Sequence, residues 1–137
     1  MERLNPLQNP RRQRPDVLVV DDDKRTRDLL QLHLAEAGYG VTLAEDAIAA
    51  ARFLLGSAPD LLMIGVQMPY FNGLDFVSGL LAERKVPCVP VVFVSSNEQF
   101  ASTAQVLGAG FLLKPFLKDE LLKTVSKALA GKPVTVA

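Results

Sequence analysis

The sequence predicts a doubly wound α/β fold, five parallel strands alternating with five helices, and three observations carry that reading. Short apolar runs recur along the chain and are nearly continuous, as in strands buried on both faces of a parallel sheet. Between them lie longer stretches with apolar residues at helical spacing, joined by short connections. The length sets the scale: 137 residues with 49% hydrophobic content suit one domain with a real core and are too few for two of ordinary size.

The first run is Val17 to Val20, ended by Asp21, Asp22 and Asp23. The helix that follows places Leu30, Leu34 and Ala37 on one stripe, and Gly38 reads as its C-cap. Val41 to Ala44 is the second strand. Asp46 to Leu55 is the second helix, with Ala47, Ala50, Ala51 and Leu54 along one side before Gly56. The Pro59–Asp60 turn leads into the third strand, Leu61 to Gly65 or Val66. Gln67 to Gly73 reads as a loop with Asn72-Gly73 as its turn signal. A helix is expected from Leu74 to about Arg84, then Pro87, then a fourth strand from Val89 to Val94. Ser96 and Gln99 have capping-box spacing for a helix running to about Leu107. After Gly108-Ala109-Gly110 comes the fifth strand, Phe111 to Leu113. The last helix buries Leu121, Val125, Ala128 and Leu129 and turns Lys118, Lys123 and Lys127 toward solvent.

Composition excludes several classes of function. With 15 basic and 15 acidic residues the formal net charge is zero, so no global field draws the chain to nucleic acid or to an anionic membrane. Cys88 is the single cysteine, which rules out an internal disulfide framework or a thiolate cluster and fits a reducing cytoplasm. Residues 1–15 carry Arg3, Arg11, Arg12 and Arg14 among prolines and asparagines, with no apolar run. They read as a flexible basic leader, neither a secretory signal nor a membrane span. The organisation expected is leader 1–15, folded unit 16–130 and tail 131–137, with no room for a DNA-binding output unit before Ala137.

In such a sheet functional groups gather beyond the carboxyl ends of the strands. The first strand delivers Asp21 and Asp22, the third Gly65, the fourth Ser95, and the fifth Phe111 and, just beyond, Lys114 with Pro115. Adjacent carboxylates, a hydroxyl and an ammonium at one edge suit a hydrated Mg²⁺ and a phosphoryl group, because hard cations take oxygen ligands and lysine offsets anionic charge. Each has a plain structural reading as well. Asp22 or Asp23 can cap a helix, Ser95 can satisfy a loop amide, and Lys114 can pair with Asp21. His33 reads as a boundary residue of the first helix, and Tyr39, Tyr70 and Phe71 as contact surface or local packing.

From Asp16 to about Ala130 the chain resembles the receiver domains of two-component response regulators. The matching stretches are Val17-Leu-Val-Val-Asp-Asp-Asp23, Pro59-Asp-Leu-Leu-Met-Ile-Gly-Val-Gln-Met-Pro69 with Asn72-Gly73, Val91-Val-Phe-Val-Ser-Ser96, and Gly108-Ala-Gly-Phe-Leu-Leu-Lys-Pro-Phe116. The resemblance implies a flavodoxin-like sheet of order 2-1-3-4-5. It implies that Asp21 and Asp22 hold the metal, with the backbone carbonyl of Gln67 as a further ligand. Ser95 would bond the phosphoryl group, Phe111 would be the ring that changes rotamer on activation, and Lys114 would be the family lysine, followed by a cis bond to Pro115.

The sequence departs from that pattern at Gly65. Met68-Pro69 fixes the register, so that Gly65 aligns with the aspartate that accepts the phosphoryl group. Asp60 lies five residues upstream, about 16 Å away along an extended strand, and is no substitute. Glycine has no side-chain oxygen, so no acyl phosphate forms at residue 65. With one of three carboxylates gone, Mg²⁺ is expected to bind weakly at most.

The function expected is therefore a non-enzymatic, phosphorylation-independent pseudo-receiver that works by protein–protein interaction in the cytoplasm. Its partner would be a histidine kinase, an output domain or another signalling protein, met through Gln99 to Ala130, the surface the family uses. A homodimer would be a second arrangement; direct nucleic-acid binding and membrane insertion are not expected. The alternative is an ordinary aspartyl-phosphorylated receiver carrying an introduced Asp-to-Gly change. A flavodoxin-like cofactor or small-ligand module ranks third, because Asp21-Asp22-Asp23 would repel the phosphate of such a ligand.

Overall fold

The computed structural model describes residues 14–83 and 89–131. Most of the basic leader, residues 1–13, lies outside them, as do Arg84, Pro87, Cys88 and the tail from Lys132 onward. Five strands alternate with five helices: β1 (Asp16–Val20), α1 (Lys24–Glu36), β2 (Gly40–Ala44), α2 (Ala47–Gly56), β3 (Leu61–Gly65), α3 (Gly73–Glu83), β4 (Val91–Ser95), α4 (Ala101–Val106), β5 (Gly110–Leu113) and α5 (Lys118–Ala130). All neighbouring strands pair in parallel, in the order β2-β1-β3-β4-β5. The expected fold and order are both present.

Continuous apolar runs become two-faced strands here, and the period of two divides each run between layers. Leu18, Val20, Leu62, Ile64 and Phe93 pack on one face with Ala50 and Leu54 of α2, Leu74 and Val77 of α3 and Ala104 of α4. Val17, Val19, Leu61, Met63, Val92 and Val94 pack on the other with Leu30 and Leu34 of α1 and Leu121 and Val125 of α5. Strands β3 and β4 are buried along their whole length, whereas the edge strands β2 and β5 are partly open.

Several local readings are corrected. Helix α1 stops at Glu36, and Ala37 is its exposed C-cap, so the buried stripe is Thr26, Leu30 and Leu34. Gly38 follows with φ +96°, the left-handed conformation that glycine adopts at little cost. The stretch after β3 is not a plain loop: Gln67–Met68 and Phe71–Asn72 pair as a short antiparallel ribbon. Its turn lies at Pro69–Tyr70, with Tyr70 fully exposed and at φ +67°. Asn72 starts α3 instead of a turn, because its Oδ1 accepts the N–H of Leu74 at 2.7 Å and leads the chain into the helix at Gly73.

The fourth strand begins at Val91, two residues later than expected, and extends to Ser95. Ser96 does not cap the next helix. Ser95 Oγ accepts the N–H of Asn97 at 3.0 Å, and Asn97 Oδ1 accepts that of Gln99 at 3.0 Å. Asn97 therefore caps a 3₁₀ turn over Glu98–Phe100, and α4 begins only at Ala101.

Candidate functional site

Parallel pairing brings the carboxyl ends of the strands together. Val20 pairs with Ile64, Gly65 with Val94, and Ser95 with Leu113, so Asp21, Gly65, Ser95 and Lys114 follow one another along a single edge. Strand order reverses at β1, with β2 on one side and β3 on the other. The edge beside that reversal is where open α/β sheets present their functional groups.

Asp21 is the centre of the site and is almost wholly buried, its side chain 2% exposed. Its Oδ1 accepts the N–H of Asp23 at 2.9 Å and its Oδ2 accepts Lys114 Nζ at 3.0 Å. The backbone of Asp21 is held as well: its N–H donates to the Ala44 carbonyl at 3.1 Å, and its carbonyl accepts Arg27 Nη1 at 2.7 Å. Lys114 is fixed at its own backbone, where its N–H donates to the Ser95 carbonyl at 2.8 Å. The Lys114–Pro115 peptide is cis.

Asp22 points to solvent, and Asp23 is the N-cap of α1. Asp23 accepts the Arg25 N–H at 3.1 Å on Oδ1 and the Thr26 hydroxyl at 2.9 Å on Oδ2. The Thr26 hydrogen bond, foremost, then the Arg25 N–H and the charges of Lys114 and Arg25 hold its carboxyl below the ordinary 3.8; desolvation opposes them. A lowered folded-state pKa gives stability that is present above the unfolded value and lost as pH falls through the folded one. Asparagine caps equally well without the charge. The stability difference between parent and Asp23→Asn is therefore expected to close as the solution is acidified through that range, in urea titrations run at successive pH values.

Gly65 leaves the end of β3 without a side chain. A Cβ built on it would stand 3.1 Å from Asp21 Oδ2 and 3.6 Å from Met68 Cγ. The Asp21 carboxylate thus leans toward the space into which a side chain at residue 65 would project. Gly73 is pressed against the same point from the other side: its N–H donates to the Val66 carbonyl at 2.7 Å, and a Cβ on it would collide with the carbonyl oxygen of Gly65.

The structure brings together Asp21, Gly65, Ser95 and Lys114 and leaves Asp22 outside the hydrogen bonds that join them. Ser95 is buried at 4% exposure. Phe111 is half-buried and packs with the layer of α2, α3 and α4. Gln67 sits in the ribbon, opposite Asn72. Asp60 lies at the far end of β3, its Oδ2 accepting the Asp16 N–H at 2.7 Å. His33 is half-buried on α1 and has no contact with this edge among those described. Sequence reasoning missed Arg27 on the Asp21 carbonyl and the seating of Gly73 on Gly65. An arginine six residues after Asp21 has nothing in its spacing to mark it, and Gly73 is marked only by being a glycine.

These residues do not fit a divalent-cation site. Each Asp21 oxygen already accepts one hydrogen bond, and residue 65 offers no side-chain oxygen where a further carboxylate would be needed. Among the described residues no group of three or more histidine, cysteine or acidic side chains is arranged to hold a metal ion.

The fold and the strand-end residues define a doubly wound parallel α/β domain with an acidic pocket at the carboxyl edge of its sheet. The chain belongs to the response regulator receiver domain family, which matches residues 17–126. It is therefore a receiver domain of two-component signalling. Among curated proteins it is 34% identical over 125 residues to protein PetR of Rhodobacter capsulatus, covering 89% of this chain and 52% of PetR. It is 30% identical over 118 residues to the DNA-binding dual master transcriptional regulator RpaA of Synechocystis, covering 84% of this chain and 49% of RpaA. The chain thus spans about half the length of the curated relatives it matches. Among solved structures, the receiver domain of NtrX from Brucella abortus superposes with a TM-score of 0.77 at 31% identity, covering 85% of this chain and 100% of that one. TrrA of Thermotoga maritima, solved in complex with Mg²⁺ and BeF, superposes at 0.73 with 27% identity over 83% of this chain and 98% of that one.

Proposed function

We propose that this receiver domain acts without aspartyl phosphorylation, as a pseudo-receiver that regulates a partner through a protein surface and catalyses no reaction. The observation that carries the reading is Gly65. It ends β3 in register with Val94 of β4, and a Cβ there would be directed at the carboxylate of Asp21. That is the geometry of a strand-end residue whose side chain enters the acidic pocket, and glycine supplies no oxygen to it. In this reading residue 65 is the phosphoacceptor-equivalent position, and Asp21 and Asp22 are what is left of the acidic pocket. Ser95, Phe111 and Lys114 are the former switch and phosphate-pocket residues, and Mg²⁺ binds weakly at most through Asp21, Asp22 and the Gln67 carbonyl.

The partner is a protein: a histidine kinase, an output domain, another signalling protein or a second copy. It is met through Gln99 to Ala130. On that stretch Val106, Leu113 and Leu117 are exposed. The site of action in this reading is the cytoplasm, where two-component phosphorelay partners would be met.

Acetyl phosphate with Mg²⁺, read by intact-protein mass, tests the proposal. The parent chain is expected to stay at its unmodified mass, whereas Gly65→Asp gains one phosphoryl group that is lost on brief alkaline treatment, as acyl phosphates are. A phosphoryl group on the parent would overturn the reading. A second reading, an ordinary receiver carrying an introduced Asp-to-Gly change, is favoured by one observation: Asp21, Ser95 and Lys114 still converge at the strand ends. An aspartate codon at position 65 of the natural gene would establish it.

A further inference from the structure

We infer that Lys114 is the resident cation of the acidic pocket, its ammonium taking the place of a divalent metal and tying β5 to β1. The inference rests on reading Gly65 as the phosphoacceptor-equivalent position, and it concerns what occupies the pocket once that carboxylate is gone.

In the sheet β1 and β5 are not neighbours, since β3 and β4 lie between them. A side chain from the end of β5 reaches Asp21 only by passing over the ends of those two strands. There the chain places Gly65, with no side chain, and Ser95, with a short one whose Oγ is turned to the Asn97 N–H. The lysine spans this gap and arrives at Asp21 Oδ2 at 3.0 Å.

The other carboxylate oxygen is also occupied, by the Asp23 N–H. Asp23 itself is spent on the cap of α1 through Arg25 and Thr26. Of the three consecutive acids only exposed Asp22 keeps its oxygens clear of the described hydrogen bonds. A Mg²⁺ ion needs near-octahedral oxygen ligands and gives up its waters reluctantly. At Asp21 it would have to compete with an ammonium already paired with a carboxylate that is 2% exposed, where solvent and salt screen little. Lys114 offsets the charge of Asp21, so part of the electrostatic drive for a doubly charged ion is already spent. The tether is part of the folded chain and depends on neither metal nor phosphodonor.

The full chain titrated with MgCl₂ and MnCl₂, without phosphodonor, tests this. Thermal midpoint and manganese-enhanced water-proton relaxation are the two readouts. The parent is expected to show no saturable binding and no midpoint shift through the millimolar range. Gly65→Asp, with a third carboxylate, is expected to bind Mn²⁺ at least about tenfold more tightly than the parent. Lys114→Met is expected to lower the midpoint, and Lys114→Arg, which keeps the charge, to restore most of it. Saturable binding of either ion by the parent overturns the inference, and so does a Lys114→Met chain that melts with the parent. A parent that binds Mg²⁺ yet stays unmodified by acetyl phosphate removes the tether and leaves the phosphorylation-independent reading intact. A parent that is phosphorylated removes that reading.

Discussion

Lys114→Met is expected to lose about 3 kcal/mol of folding stability, toward the lower end of what stranding one partner of a buried ion pair costs. Removing the ammonium leaves the Asp21 carboxylate, 2% exposed, facing only the Asp23 N–H. The lysine side chain is itself 26% exposed, so water can approach the stranded charge and the figure stays below that for a fully enclosed pair. Urea midpoints of parent and variant measure the difference. The surface pair Lys118–Glu36, 3.2 Å apart with both side chains about half exposed, is the control. Its loss should cost roughly 0.2–1 kcal/mol, as exposed pairs do.

Gly73→Ala is expected to lose about 2–3 kcal/mol, the cost of forcing an extra carbon into a packed site. The added methyl would be driven into the Gly65 carbonyl oxygen, with the Ile64 side chain 3.3 Å away. A backbone oxygen in a buried central strand cannot swing aside as the end of a side chain can, so β3 and the start of α3 must separate. The hydrogen bond from Gly73 N–H to the Val66 carbonyl, 2.7 Å, then lengthens or breaks. Gly79→Ala on the same helix has nothing within 4 Å of the added carbon and is expected to leave the urea midpoint unchanged or raise it. Equal losses in the two variants would show that helix propensity, and not the approach to Gly65, governs this element.

The fold was legible because its signals are long and repeated. Five apolar runs with helical stretches between them allow few arrangements, and the three central runs are buried on both faces as their composition implies. The alignment of Asp21, Gly65, Ser95 and Lys114 followed from parallel pairing alone. What escaped was decided by single hydrogen bonds. Asn72-Gly73 has the composition of a turn, yet Asn72 Oδ1 meets the Leu74 N–H and starts a helix. Ser96 has the spacing of a cap, yet its neighbours Ser95 and Asn97 take the local amides first. A polar side chain near a helix start has several amides in reach, and the backbone path, set by the sheet, chooses among them.

The closed ion pair at the strand ends bears on how such a protein carries information. A receiver that accepts a phosphoryl group has two chemical states, and a cell can change its message in seconds without making or destroying any of it. On the proposed reading, a receiver with no acceptor at residue 65 and its Asp21 paired with the chain's own lysine has one state and answers to no donor. For a domain built this way the variable left to the cell is quantity: how much is synthesised, how fast it is degraded and how much competing partner is present.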